Sequence, residues 1–274
     1  MGVMLLAAGA LRAGSLVEYI PEAVIDGFTM GIAVIIAASQ LKDLMGLALA
    51  EVPAEFFAKL GALWRARATL NLSALGVGLG TMACIVLLRR AYPRFPGLIV
   101  AVALGSAAVA LLGLPVDTIA SRFGALPSTL PMPGLPDVSY ARMVELLPSA
   151  MIIAFLAGVE SLLSAMVADR MIDGRHRPNA EMLAQGAANV GSALFGGLPA
   201  TGAIARTATN VRAGGRTPVA GMIHALTVLV VMMAAAPLAG QLAMPALAGL
   251  LILTAWNMSE SHKWRAHLQL SLIH

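Results

Sequence analysis

Glu160 sits in the run Phe155-Leu-Ala-Gly-Val-Glu-Ser-Leu-Leu-Ser164, and it is the sole charged residue between Leu146 and Ala168. A charged group at the centre of a membrane helix costs about 2.5–3.5 kcal/mol on insertion scales, so it is retained where it faces a cavity or binds something. Ser164 follows one turn later on the same face. A carboxylate and a hydroxyl at i, i+4 suit a small cation such as Na+, or a carboxyl that takes up and releases a proton. The structural alternative is a protonated glutamate held by hydrogen bonds between helices.

A second feature lies downstream. The stretch Phe195-Gly-Gly-Leu-Pro-Ala-Thr-Gly202 interrupts any helix, and the half-length segment Ala203–Val211 that follows is stopped by Ala213-Gly-Gly215 and Pro218. Broken helices near the bilayer midplane are where secondary transporters bind their substrates. A short helix starting near Ala203 points its free amides and the positive end of its dipole at that site. Arg206 adds a full positive charge within its first turn, so the ligand expected there is an anion. The alternative is a re-entrant loop whose arginine snorkels or pairs with Glu160. Thr201, Thr207, Thr209 and Asn210 could cap the half-helix or line the site, and local backbone capping is the role expected of each. Three glycines in the break do not make a phosphate loop, because the lysine and the preceding strand are missing.

These features need spans to hold them. Of 274 residues, 59% are hydrophobic and 12% are charged, with a mean hydropathy of +0.84. A soluble domain carries about 25% charged residues. The apolar blocks are long enough to cross a hydrocarbon core of roughly 30 Å, and in lipid they must be helical because each backbone group has to be satisfied within the chain. No alternating strand pattern of a membrane barrel is present. Spans are expected at 21–41, 70–88, 96–114, 146–168, 218–236 and 244–258, with a shorter helix at 181–194. Met1–Leu11 reads as the tail of a helix. Gly27 and Gly31 have the small-xxx-small spacing of a close helix contact. Residues 42–69, with Glu51, Glu55, Lys59, Arg65 and Arg67, read as an interfacial segment. Five prolines between 115 and 140 exclude a continuous helix there.

The net charge of +4 comes from short basic loops. Arg89, Arg90 and Arg94 form one group; Arg170, Arg175 and Arg177 a second; Arg212 and Arg216 a third; Lys263 and Arg265 a fourth. Crossing each full span once puts all four on one side, which the positive-inside rule makes cytoplasmic. The 115–140 loop then faces outward. Only 42–69 strains this scheme, its basic residues partly offset by Asp43, Glu51 and Glu55. No nucleic-acid partner is expected, because no aromatics interleave with a basic patch. Cys84, the single cysteine, reads as a small packing residue. Met1 opens into apolar sequence without a basic n-region, so no secretory signal peptide is expected. No nucleophile–base set or metal-spaced cluster accompanies Glu160, so an enzyme is not expected.

Three segments resemble the SulP (sulfate permease) family, the bacterial relatives of solute carrier family 26. They are Phe28-Thr-Met-Gly-Ile-Ala-Val-Ile-Ile with Ser39-Gln-Leu-Lys-Asp-Leu-Met-Gly46, Gly158-Val-Glu-Ser-Leu-Leu-Ser-Ala165, and Gly196-Gly-Leu-Pro-Ala-Thr-Gly-Ala-Ile-Ala-Arg-Thr-Ala-Thr-Asn210. The last continues through Arg212-Ala-Gly-Gly-Arg-Thr-Pro218 to Ala255-Trp-Asn-Met-Ser-Glu260. The resemblance implies an all-α polytopic fold, part of a seven-plus-seven inverted repeat in which a core domain rocks against a gate domain. On that pattern 1–20 ends a core span, 21–140 holds gate spans, 141–240 holds core spans with the broken helix at 195–211, and 241–274 begins a second gate segment. Glu160 and Ser164 match the span where some members place a coupling cation. Gly202, Ala203, Ile204, Ala205 and Arg206 match the start of the half-helix that faces the anion.

The resemblance further implies alternating-access transport of sulfate, bicarbonate or a small dicarboxylate, coupled to H+ or Na+ and needing no other cofactor. Its setting would be the bacterial cytoplasmic (inner) membrane, with lipid and a small anion as partners; a homodimer is compatible with it. Only one broken helix is present, whereas an inverted-repeat site uses two. The chain is therefore expected to be a fragment lacking the first three spans, the last two and the STAS domain. A nucleobase-type permease of the same architecture and a non-transporting membrane remnant are the competing readings.

Overall fold

The computed structural model describes residues 1–15, 22–49, 51–92 and 95–258. Arg94, Lys263, Arg265 and the tail 266–274 lie outside it. The described residues form eleven α-helices: α1 Gly2–Ala10, α2 Glu22–Met45, α3 Phe56–Arg65, α4 Leu72–Ala91, α5 Gly97–Leu112, α6 Ile119–Phe123, α7 Tyr140–Ile172, α8 Pro178–Leu194, α9 Ile204–Arg212, α10 Pro218–Gly240 and α11 Met244–Met258. No strand occurs among them beyond an isolated bridge between Thr118 and Ala243. Three of these helices, α4, α7 and α10, are long and apolar enough by themselves to cross a bilayer. Their exposed faces are apolar, with Leu79, Ile152, Phe155, Ile223 and Val230 among the residues open on the outside, as helices in lipid require.

The chain divides into two compact units, Met1–Pro21 with Thr129–Val230, and Glu22–Ser128 with Val231–His274. In the first, α1 packs on α7 and α8, and α7 packs on α8 and α9. Glycines set the closeness of α1 to α8. A Cβ on Gly186 would stand 2.7 Å from the Leu6 amide nitrogen and 2.9 Å from the Gly2 carbonyl oxygen, and one on Gly9 would stand 3.0 Å from the Leu183 nitrogen. The two helices run antiparallel with their backbones nearly touching. α1, expected as the tail of a helix, is packed closely along α8.

In the second unit α11 packs on α2, α4 and α5. Its centre is Val102, Val109, Ala243 and Ala246, with Val77, Leu114, Leu247 and Leu250 around them. Ser106 passes its hydroxyl hydrogen to the Val102 carbonyl and accepts the Ala243 amide at 2.9 Å, so the start of α11 is tied to the middle of α5. Asn71 caps α4 by accepting from the Ser73 and Ala74 amides, and donates to the Pro115 carbonyl at 2.7 Å. Arg122 pairs with Asp43.

Several expectations change here. α2 runs four residues past Leu41, to Met45, before the interfacial segment begins. That segment contains α3, whose Phe57 and Trp64 are exposed and whose Trp64 ring lies 4.5 Å from the Arg67 guanidinium. Such an amphipathic helix suits the headgroup boundary. The loop 115–140 contains one short helix, α6, closed by a Thr118–Ser121 capping box. α8 starts earlier than expected because Pro178 takes the first helical position, where its missing N–H costs nothing. At Gly27 and Gly31, nothing among the described residues lies within 4 Å of a Cβ built there; α2 buries Ala33, Ala38 and Leu44.

Two glycines of α8 therefore call for opposite responses. Gly186→Ala should lower the melting temperature of the purified protein in detergent, with a loss of roughly 1–3 kcal/mol for overpacking. Gly191→Ala, with nothing within 4 Å of the new Cβ, should hold or raise it through helix propensity, by up to about 1 kcal/mol. Equal melting temperatures for the two variants would contradict the α1–α8 contact.

Candidate functional site

α7 buries a stripe of small residues, Ala154, Ala157, Gly158, Ser161 and Ser164, and the break in the chain packs against it. From Phe195 to Ala203 the backbone is not helical, so its polar groups need other partners. The carbonyls that end α8 find them within the chain. Ser192 O accepts the amides of Phe195 and Gly197, Ala193 O accepts that of Gly196, and Leu194 O accepts that of Gly134 at 2.8 Å.

Side chains complete the linker. Ser192 donates its hydroxyl to Leu198 O at 2.9 Å. Asn189 accepts the Ala200 amide at 2.8 Å and donates to Ala200 O at 2.9 Å, and Gln185 donates to the same oxygen. Beyond Ala200 the chain transfers from α8 to α7. The Gly202 amide donates to Ser161 Oγ at 3.0 Å. Ser161 Oγ is 3.3 Å from Thr201 Oγ1, which itself donates to Ala157 O at 3.0 Å. Since each hydroxyl has one hydrogen, the relay runs in one direction, from Gly202 N–H through Ser161 and Thr201 to the Ala157 carbonyl. Ser164 Oγ then meets Thr207 Oγ1 at 2.6 Å. A Cβ at Gly202 would lie 3.2 Å from the Ser161 Cα and 3.5 Å from the Ser164 Cβ, so only glycine lets the half-helix begin this close to α7.

The amide end of α9 differs from the carbonyl end of α8. Its N-cap is Ala203, which has no side-chain acceptor, and no acidic residue stands in its first turn. Ile204, Ala205 and Arg206 open that turn. A helix N-terminus without a capping side chain or a nearby carboxylate offers donors and positive potential to an incoming group.

The candidate residues fall into place as follows. Gly202 is at the contact between α7 and α9, Ala203 is the N-cap, and Ile204, Ala205 and Arg206 form the first turn. Ser164 is buried beneath α9. Glu160 is half-buried on α7, and Arg206 is exposed. No ion pair joins these two; the ion pairs among the described residues include Arg142 with Asp137 and His176 with Asp169. Thr201 and Thr207 depart from the expected local capping, since both reach across to α7. Asn210 contributes its carbonyl to the Gly215 amide at 2.9 Å, closing the far end of the segment. Sequence reasoning passed over Ser161, Gln185 and Asn189. Their signal was available: polar side chains inside apolar helices, with Gln185 and Asn189 at i, i+4 and Ser161 three residues before Ser164.

Comparisons with known proteins show the family and the fold. The model of the sulfate permease family matches residues 1–272, and the chain belongs to that family of integral membrane transporters. It is 39% identical over 261 residues to a putative sulfate transporter of Bacillus subtilis, covering 94% of this chain and 49% of the relative. It is 32% identical to the bicarbonate transporter BicA of Synechocystis, covering 91% and 44%. The chain thus spans about half the length of the curated relatives it matches. Among solved structures, the transmembrane domain of a cyanobacterial bicarbonate transporter BicA superimposes with a TM-score of 0.85 at 29% identity, over 96% of this chain and 67% of that one. The structure of SLC26A9 does so with a TM-score of 0.83 at 20% identity, over 97% and 43%, a likeness of fold. The all-α architecture is that of the inverted-repeat transmembrane domains of this family, and the broken helix occupies its expected stretch of sequence.

The relay predicts a specific cost. Ser161→Ala leaves the Gly202 amide without its acceptor, and a buried donor so orphaned costs about 1–3 kcal/mol. Ser161→Thr keeps the hydroxyl. Thermal unfolding in detergent should rank wild type above Ser161→Thr and both above Ser161→Ala; an alanine variant as stable as wild type would remove the relay from the argument.

Proposed function

We propose that the protein of which this chain forms all or part is a secondary anion transporter working by alternating access. The observation that carries the reading is the uncapped N-terminus of α9, held by Gly202 against Ser161 and Ser164 of α7, the helix that also bears Glu160. The amides of Gly202–Arg206 and the Arg206 side chain hold the anion. A planar or tetrahedral oxyanion such as bicarbonate or sulfate matches a cluster of N–H donors beside a guanidinium. Its relatives' names, putative sulfate transporter and bicarbonate transporter, support the same chemical class. A small dicarboxylate fits the same donors.

Glu160 is the coupling residue. Its carboxylate, with the Ser164 hydroxyl beside it, takes Na+ or H+ and brings a compensating charge next to the anion. Loading the two together lowers the cost of carrying either through a low-dielectric path. The activity proposed is transport, in which no covalent bond is made or broken. The basic loops make the inner face of the cytoplasmic membrane the side of Arg170, Arg175 and Arg177.

Two substitutions in the complete protein carrying this chain, reconstituted in proteoliposomes, separate the roles. Arg206→Ala should reduce uptake of radiolabelled sulfate or bicarbonate at least about tenfold, the loss expected for removing a charge-assisted contact. Glu160→Gln should abolish the stimulation of uptake by an imposed Na+ or pH gradient while leaving anion exchange measurable. Undiminished uptake in Arg206→Ala would overturn the anion assignment. Gradient-driven uptake surviving in Glu160→Gln would overturn the coupling assignment alone.

A further inference from the structure

The linker that enters the site hangs on one face of α8. Gln185, Asn189 and Ser192 stand at i, i+4 and i+7, and each bonds to the returning chain. Asn189 differs from the other two. It is buried, with 5% of its surface exposed, and its carboxamide makes a two-point pair with a single residue. Oδ1 accepts the Ala200 N–H at 2.8 Å, and Nδ2 donates to the Ala200 carbonyl at 2.9 Å. The second Nδ2 hydrogen goes to the Gln185 carbonyl, also at 2.9 Å. All of its main bonding capacity is used.

A two-point pair fixes direction as well as distance. It imitates the pairing that a neighbouring β-strand would give Ala200, inside a bundle with no strand to offer. No other side chain of this size supplies donor and acceptor together: aspartate lacks the donor, and leucine lacks both. Pro199 stiffens the approach by fixing its own φ and holding Leu198 extended. Two residues past Ala200, Gly202 docks on Ser161, and two residues later α9 begins. The direction given to Ala200 is therefore passed, over a few bonds, to the amides that open α9.

We propose that Asn189 is a positioning residue of the anion site, one that aims the N-terminus of α9 by clasping the Ala200 peptide without touching the anion. The inference rests on reading that N-terminus as the anion site. Loosening the clasp lets the first turn swing, so the donors meet the anion less well in every state of the cycle. Binding then weakens more than turnover does.

The test uses the complete protein carrying this chain in proteoliposomes, with sulfate and bicarbonate as the probes. At matched amounts of inserted protein, Asn189→Ala should raise KM for the transported anion roughly tenfold and change the maximal rate by less than about threefold. Amide hydrogen exchange in 197–204 should accelerate at least about tenfold, while peptides of α1 stay at the wild-type rate. Asn189→Asp should behave like the alanine variant, since an acceptor alone does not orient the peptide. Gln185→Ala, which removes one of two donors to Ala200, should give a smaller shift in the same direction, and it carries the test if Asn189→Ala fails to insert. Unchanged exchange at 197–204, or a fall in maximal rate at constant KM, overturns the positioning role. If the wild type carries neither probe, the transport reading fails by itself, and hydrogen exchange alone then decides whether Asn189 fixes α9.

Discussion

A chain that stops being helical inside a bilayer must pair its backbone by other means, and this constraint organises the first unit of the structure. An ordinary transmembrane helix satisfies its own amides and carbonyls. Between Phe195 and Ala203 that option is lost. Polar residues of α7 and α8, with one of the linker's own, are the replacement: Ser192 and Asn189 serve the first half of the linker, Ser161 and the linker's Thr201 the second. The serines and asparagine that interrupt otherwise apolar helices are the partners of the break.

The pairing is also unequal, and the inequality is informative. The last carbonyls of α8 receive amides from the turn that follows and from Gly134. The start of α9 receives no side-chain cap, although a serine, threonine or aspartate at position 203 would have supplied one. A protein that completes the carbonyl end of a break and leaves the amide end open keeps positive potential at one place. Small residues make the arrangement possible. Gly202 lets α9 start against α7, and Gly186 lets α1 settle on α8, so that α7, α8 and α9 can share one compact unit.

Much of this was legible in the sequence. Apolar block length gave the spans to within a few residues, and Phe195–Gly202 announced the break because two adjacent glycines and a proline cannot continue a helix in lipid. The motifs around Glu160 and Gly202 pointed to the family. What could not be read was pairing between distant segments. Thr201 and Thr207 look like caps when only near neighbours are considered, and only the packing of α9 on α7 turns them toward Ala157 and Ser164. Gly27 and Gly31 carry a contact motif that no described residue reaches, because spacing records what an element could touch and not what reaches it. α1 shows the converse: nothing in its short apolar sequence points to α8, yet Gly186 receives it there.

Glu160 and Arg206 present the last question of principle. Opposite charges in a low-dielectric interior attract strongly, and a pair made only for stability would sit in contact with its remaining hydrogen bonds filled. These two do not form an ion pair, and the hydroxyl nearest in the helical register to Glu160, that of Ser164, is engaged with Thr207 at 2.6 Å. The glutamate is half-buried and the arginine exposed. On the proposed reading each charge keeps capacity for a mobile partner, the carboxylate for a cation and the guanidinium for an anion. A direct Glu160–Arg206 bridge would neutralise both and leave the open end of α9 with nothing to recruit. On the proposed reading, separating the two charges on adjoining elements leaves one short stretch of chain able to meet two ions of opposite sign.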